Sequence, residues 1–322
     1  MTSSAQHRVA VGRYTLSATM AYAVAVWLAG GLLVSAVPLS LAELLQGLWL
    51  PFACFLLSVL LMVVLNNTNA HIRIYSRTVS CSFAVLTCAG SFLFGSLSGA
   101  AFQVFMIATW LALFRTYQDR NAAGWSYYAF LCVGLASGFF VQILFFAPVL
   151  WLLMFLLLSS LSWRTFMASV FGLLTPYWFA LPLLFCQDNV EAMRVHFAAL
   201  ADFDSTGVAS ITINQALLFA FVVGLGLTGS IHCQHKRLDD NIRLRLFYDC
   251  FIIVWIVTAV ALVLQPQHYD MLIRLMIICV SPLIAHFLTL TNTRITNIAF
   301  HVIWITALLL TIFNLWTPSL LF

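Results

Sequence analysis

NAAGWSYYAFLCVGLASGFFVQILFFAPVLWLLMFLLLSSLSWRTFMASVFGLLTPYWFALPLLFCQ, residues Asn121 to Gln187, decides the fold. Its 67 residues carry one formally charged side chain, Arg164. The apolar runs on either side are long enough to cross a bilayer, which takes roughly 20 residues for about 30 Å of hydrocarbon. A guanidinium inside hydrocarbon is costly. Arg164 is therefore expected at a membrane surface, with the chain turning beside it, and the other spans fall into place outward from there.

The composition agrees. The chain of 322 residues is 63% hydrophobic and 7% charged, where soluble domains run near a quarter charged. Its mean hydropathy is +1.03. The apolar runs are continuous rather than alternating, which argues for helices, whose backbone bonds are satisfied internally, and against a β-barrel. The expected fold is an all-α polytopic transmembrane helix bundle, residues 1–322, with no separate soluble domain. The net charge of +4 is spread over short loops, so it reads as a topology signal and not as a nucleic-acid footprint. The eight cysteines (Cys54, Cys81, Cys88, Cys132, Cys186, Cys233, Cys250 and Cys279) show no C-x-x-C and no ligand spacing. No disulfide is expected.

Eleven spans are expected, at about 14–37, 47–65, 78–95, 99–114, 127–144, 146–161, 165–186, 213–231, 249–264, 271–290 and 298–316. The first follows a basic start, as a signal peptide would, but its apolar run is too long for one, so it reads as a retained helix. Gly95 and Gly99 bracket the third turn, a turn near Ala147–Pro148 joins the fifth and sixth spans, and Pro176 is expected to kink the seventh. On this threading twelve Lys and Arg residues share the face of the N-terminus, and Arg194 and Arg274 lie on the other. That asymmetry places the N-terminus in the cytoplasm and the C-terminus outside. The outer stretch 187–212 contains an amphipathic surface helix, with Val190, Met193, Phe197 and Leu200 on one side and Glu191 and Asp202 facing away.

Few residues suggest chemistry. Glu43 is the one charge in the first outer loop; it reads as a solvated acid or, less favoured, as a general base. Asp188, Glu191, His196, Asp202 and Asp204, with Arg194 and Arg274 on the same face, form an outer polar set that suits a divalent cation or a polar head group or is the wet face of the surface helix. His232–His235 matches no zinc signature and reads as an interfacial cap. Gln103, Gln142, His286 and His301 are polar residues within spans, and His286 and His301 are expected to touch between the last two helices. No acid, lysine or arginine is expected in mid-span. No phosphate loop, nucleophile elbow or H-E-x-x-H is present, so no cofactor and no metal centre is expected.

The segments G-L-A-S-G-F-F-V-Q-I-L-F-F-A-P (Gly134–Pro148), S-W-R (Ser162–Arg164) and G-L-L-T-P-Y (Gly172–Tyr177) carry a resemblance. Together they resemble a family of bacterial polytopic inner-membrane proteins of unknown function. That family follows Trp-Arg with an acid and an aromatic; here Thr165 and Phe166 stand at those positions. The resemblance implies an envelope location and no particular activity. A fainter likeness is to multi-span glycosyltransferases that use polyprenyl-phosphate sugars, which place a catalytic acid in the first outer loop and a functional loop after span 7. Glu43 and the Asp188–Asp204 stretch occupy corresponding places, although the first outer loop is short and no Asp accompanies Glu43.

Three readings follow. The first is a non-catalytic subunit or scaffold of the bacterial inner membrane, in contact with the lipid bilayer and other envelope membrane proteins. The second is a glycosyltransferase-like enzyme acting on a polyprenyl-linked lipid, with Glu43 as base and Arg194 or Arg274 near the leaving group. The third is a transporter or lipid-handling protein, although no inverted repeat is evident.

Overall fold

The computed structural model describes residues 12, 14–34, 45–69, 77–186, 190–201, 211–291 and 293–320. Among them are twelve α-helices: α1 Thr15–Val34, α2 Leu50–Asn69, α3 Thr78–Ala89, α4 Leu97–Phe114, α5 Ala123–Ser137, α6 Ala147–Leu156, α7 Trp163–Cys186, α8 Val190–Ala198, α9 Ile213–His235, α10 Ile242–Leu264, α11 Tyr269–Leu290 and α12 Arg294–Leu320. The chain is an all-α, multi-pass membrane protein by helix length and hydropathy.

Seven described helices, not eleven, are long and apolar enough to cross a membrane. They are Gly47–Thr68, Leu97–Phe114, Trp163–Cys186, Ile213–His235, Ile242–Leu264, Pro266–Leu290 and Ile295–Trp316. Of the other four expected spans, α1 has 20 residues and the remaining three are shorter helices for local reasons. The third stops at Ala89, because Gly90 leaves helical geometry at φ −101° and ψ 57° and a 3-10 turn, Ser91–Leu93, follows. The turn between the fifth and sixth falls at Gly138–Phe140, not at Ala147–Pro148. Phe140 is extended, Val141–Phe146 is a 3-10 helix, and Pro148 lies in the first turn of α6, where its missing N–H costs nothing. The 15 residues of α5 and the 10 of α6 rise only about 22 and 15 Å. α1 is apolar over Thr15–Gly30.

Caps explain several starts. Thr212 and Gln215 form a reciprocal capping box ahead of α9, and Ser96 accepts from the Gly99 N–H ahead of α4. At α7 the Ser162 N–H donates to Thr165 Oγ1 at 2.8 Å and the Thr165 N–H to Ser162 Oγ at 3.3 Å. Thr165 thus closes a cap of the kind an acid usually completes. Arg164 is exposed in that first turn. α7 remains one helix through Pro176 and Pro182.

Contacts sort the helix ends into two groups. At one end the Gln118 N–H donates to Leu158 O at 2.8 Å, Thr116 meets Ser160, and Ser162 donates to Arg120 O. Phe114 stacks on Phe247 and Arg243 lies over Tyr117 there. At the other end Tyr269 donates to Gln215 O, Gln142 to Ala199 O and Asn314 to Ala89 O. The first, basic end carries Arg115, Arg120, Lys236, Arg237, Arg243 and Arg245. α5 and α7 run parallel and touch backbone to backbone. A Cβ on Gly172 would lie 2.5 Å from Tyr127 O, and one on Gly134 would lie 2.8 Å from Leu173 O. That close seam is what the G-L-A-S-G stretch suggests.

α11 is the axis of the bundle. It packs against α3, α4, α9 and α10, and 89% of its apolar window is buried.

Candidate functional site

α11 carries an ionisable side chain near each end, and each is engaged by a different set of segments. Arg274 lies one turn inside the helix, four residues after Asp270. Its side chain is 4% exposed, so it is enclosed by the protein near the start of the helix. The guanidinium is engaged on three sides. Nε donates to Asp270 Oδ1 at 3.0 Å, Nη1 to Gln103 Oε1 at 3.2 Å, and Nη2 to the Leu93 carbonyl. Gly99 makes this possible: a Cβ there would sit 2.6 Å from both Arg274 Nε and Asp270 Oδ2. The missing side chain lets the ion pair lie against the α4 backbone.

At the basic end His286, 1% exposed, meets Asp240, 5% exposed, with Nε2 to Oδ2 at 2.9 Å. Asp240 is held in place because Arg245 Nε donates to its carbonyl at 2.8 Å and Arg245 Nη2 to Leu238 O at 3.0 Å. The His232 ring lies 5.3 Å and the Tyr248 ring 4.8 Å from the His286 ring. Pairing with Asp240 puts the proton on His286 Nε2. His286 Nδ1 and His232 Nε2 are buried without a hydrogen-bond partner among the described residues. The expected His286–His301 contact does not form: His301 is exposed on α12, while His286 faces α9 and α10. His232 is thus more than an interfacial cap, since its ring packs on His286 of the buried Asp240–His286 contact.

The remaining sequence candidates divide. Glu43, Asp188, Asp202 and Asp204 lie outside the described residues. Glu191 and Arg194 are exposed on α8 and pair with each other at 3.4 Å, a surface contact worth about 0–1 kcal/mol. His196 faces Tyr177, Nε2 to OH at 3.4 Å, and Tyr177 in turn meets Ser137 at 2.6 Å. Burial holds the His196 imidazole below its ordinary pKa, partly offset by a hydrogen bond to the Ser137 backbone. Gln142 is used to tie Ala199, just after α8, to the 3-10 segment 141–146. Among the described residues no group of three or more His, Cys, Asp or Glu could hold a metal ion. All eight cysteines are free thiols.

Sequence reasoning missed Asp240, Asp270 and Gly99. The i,i+4 spacing of Asp270 and Arg274 was a usable signal. The 46 residues between Asp240 and His286 leave no local pattern to read.

An apolar cleft enclosing about 40 Å³ is bounded by α1, α3, α9, α11 and α12. Comparison of the chain with family models, curated proteins and solved structures finds no match. Sequence and structure together support a multi-span helical membrane protein, without assigning it to a family.

Proposed function

We propose that the protein is a non-catalytic subunit or scaffold of a bacterial inner membrane, with its basic end in the cytoplasm. The observation that carries this reading is the use made of Arg274. A catalytic or transporting bundle keeps its intramembrane charge facing a space that a substrate can occupy. Here the guanidinium ends on Asp270, Gln103 and Leu93, all within the protein. Asp240 and His286 likewise end on each other. These contacts fasten helices.

The orientation is supported by the gathering of basic side chains at one end, the positive-inside pattern. Aromatic rings accompany them, with Arg115 over Trp125 at 4.5 Å and Arg243 over Phe247 at 5.2 Å. A scaffold also needs a face for its partner. α7 supplies one, with Trp163, Phe171, Trp178, Phe179 and Phe185 all exposed.

The test is photo-crosslinking in native membranes from a benzoylphenylalanine placed at Trp178. The scaffold reading expects a discrete adduct with a second membrane protein, lost when the probe moves to buried Leu153 on α6. Adducts with lipid alone would overturn it.

A further inference from the structure

Two imidazole nitrogens at the basic end of the bundle are left over from the contacts already described. His286 is buried, and its Nε2 is occupied by Asp240 Oδ2. Its other nitrogen, Nδ1, has no hydrogen-bond partner among the described residues, and neither has Nε2 of His232 on α9. Both atoms are shut off from bulk solvent. Buried polar atoms are paired as a rule, with protein or with ordered water, and an unmet one costs the full desolvation of the group. The rings that carry these two atoms are neighbours. Their centres lie 5.3 Å apart and their planes are tilted by 55°.

The donor set decides what suits the pair. A carboxylate on one imidazole nitrogen is the arrangement that supports a metal on the other, so a transition-metal ion is the first alternative. A closed metal site takes about four ligands, and among the described residues no third His, Cys, Asp or Glu completes one. A buried water needs only two to four polar partners, and a bridging water is nearly as favourable as a direct hydrogen bond. At about 2.9 Å from each nitrogen, a water spans a gap of up to about 5.8 Å, which suits rings this close. The tautomer suits it as well. With the His286 proton on Nε2, facing Asp240, Nδ1 is an acceptor, and a water O–H is the donor it lacks.

We infer that one buried water bridges His286 Nδ1 and His232 Nε2. It completes a hydrogen-bonded chain, Asp240–His286–water–His232, that ties α9 to α11. The chain is also a route for protons, because His232 is only half-buried. A proton passed from His232 Nε2 to the water releases one from the water to His286 Nδ1, and the His286 Nε2 proton then passes to Asp240. His232 gives up one proton, Asp240 gains one, and the two members between them end unchanged in charge. The buried imidazole thus exchanges its protons with solvent while the bundle stays closed.

The test is nuclear magnetic resonance of the full-length protein, isotope-labelled at the histidine nitrogens, in lipid nanodiscs. Magnetisation from water should reach the His286 ring, whose signals are those missing from His286→Gln. His232→Phe keeps a ring in place and removes the nitrogen. In that variant the transfer to His286 should be lost, while the His286–Asp240 hydrogen bond persists. No transfer to His286 in wild type overturns the proposal. So does transfer that survives His232→Phe in protein that elutes as a folded monodisperse species. A stoichiometric transition metal in the purified wild-type protein, found by elemental analysis and missing from His232→Phe, overturns it too, because a metal then sits where the water is inferred. If His232→Phe does not fold, the water transfer and the metal content of the wild type decide.

Discussion

Helices α11 and α7 are both long, apolar and proline-containing, yet 89% of one window is buried and 12% of the other. In a bilayer hydrophobicity does not choose between them, because lipid tails are as apolar as leucine. What differs is where the ionisable side chains sit: Arg164 of α7 is exposed, whereas Arg274 and His286 of α11 are buried. α11 bears Arg274, Ser281, His286 and Thr289, all buried, and each must find a partner inside the protein. Ser281 and Thr289 bond back to the carbonyls of Ile277 and Ala285, while Arg274 and His286 reach other segments. α7 has its large aromatic residues turned outward and is attached along the Gly134–Gly172 seam. Burial in this protein follows the polar atoms that need partners and the glycines that permit contact.

The contrast can be broken most severely at α11. Arg274→Ala would leave Asp270, Gln103 and the Leu93 carbonyl without their shared donor. The expected loss is about 3 kcal/mol, the lower part of the range for breaking a buried pair, since the Asp270 side chain is 35% exposed. Thermal unfolding in detergent measures it; an unchanged midpoint would mean the cluster does not fasten α11. Gly172→Ala should cost less, about 1–3 kcal/mol, because the new Cβ meets backbone atoms of Tyr127 and Leu131 that cannot swing away. Its damage should be confined to α7 and α8, visible as faster hydrogen exchange there with α11 still protected. Trp178→Ala, on a side chain 76% exposed, should shift stability by less than about 0.5 kcal/mol.

The smallest effect is pH-dependent and belongs to α7's neighbour. Burial lowers the His196 pKa in the folded state, so the folded state prefers neutral imidazole. Docking of α8 is then fully present above the ordinary imidazole value of about 6.5 and weakens as pH falls through and below it. Hydrogen exchange in Val190–Ala198 should rise at low pH in wild type and not in His196→Phe.

Much of this architecture is legible in the sequence. Each of the eleven apolar runs coincides with a helix, since hydropathy marks where backbone must be satisfied internally. Helix length is less legible. Gly90 and the Gly138–Phe140 break end helices early by local geometry, and the expected spans 78–95 and 127–144 read straight across them. At α10 the error is the reverse: Arg243 and Arg245 look like loop residues, yet the helix begins at Ile242, because Arg245 bonds carbonyls of the preceding turn. The polar contacts of α11 divide in the same way. Asp270 and Arg274 are adjacent on one helix face, whereas Asp240 and His286 meet only once α10 and α11 have packed. Glu43 and Asp188 lie outside the described residues, so the enzyme reading draws no support from the geometry.

The claim that α11 is fastened by polar contacts made within the protein is tested most directly by a double-mutant cycle at its basic end. Unfolding midpoints are compared for wild type, Asp240→Ala, His286→Ala and the double variant. If the pair is a fastener, the double variant is about as stable as the worse single one, a coupling of about 1–3 kcal/mol for groups in contact. Losses that add to within about 0.5 kcal/mol would show that Asp240 and His286 act independently, and would contradict the claim.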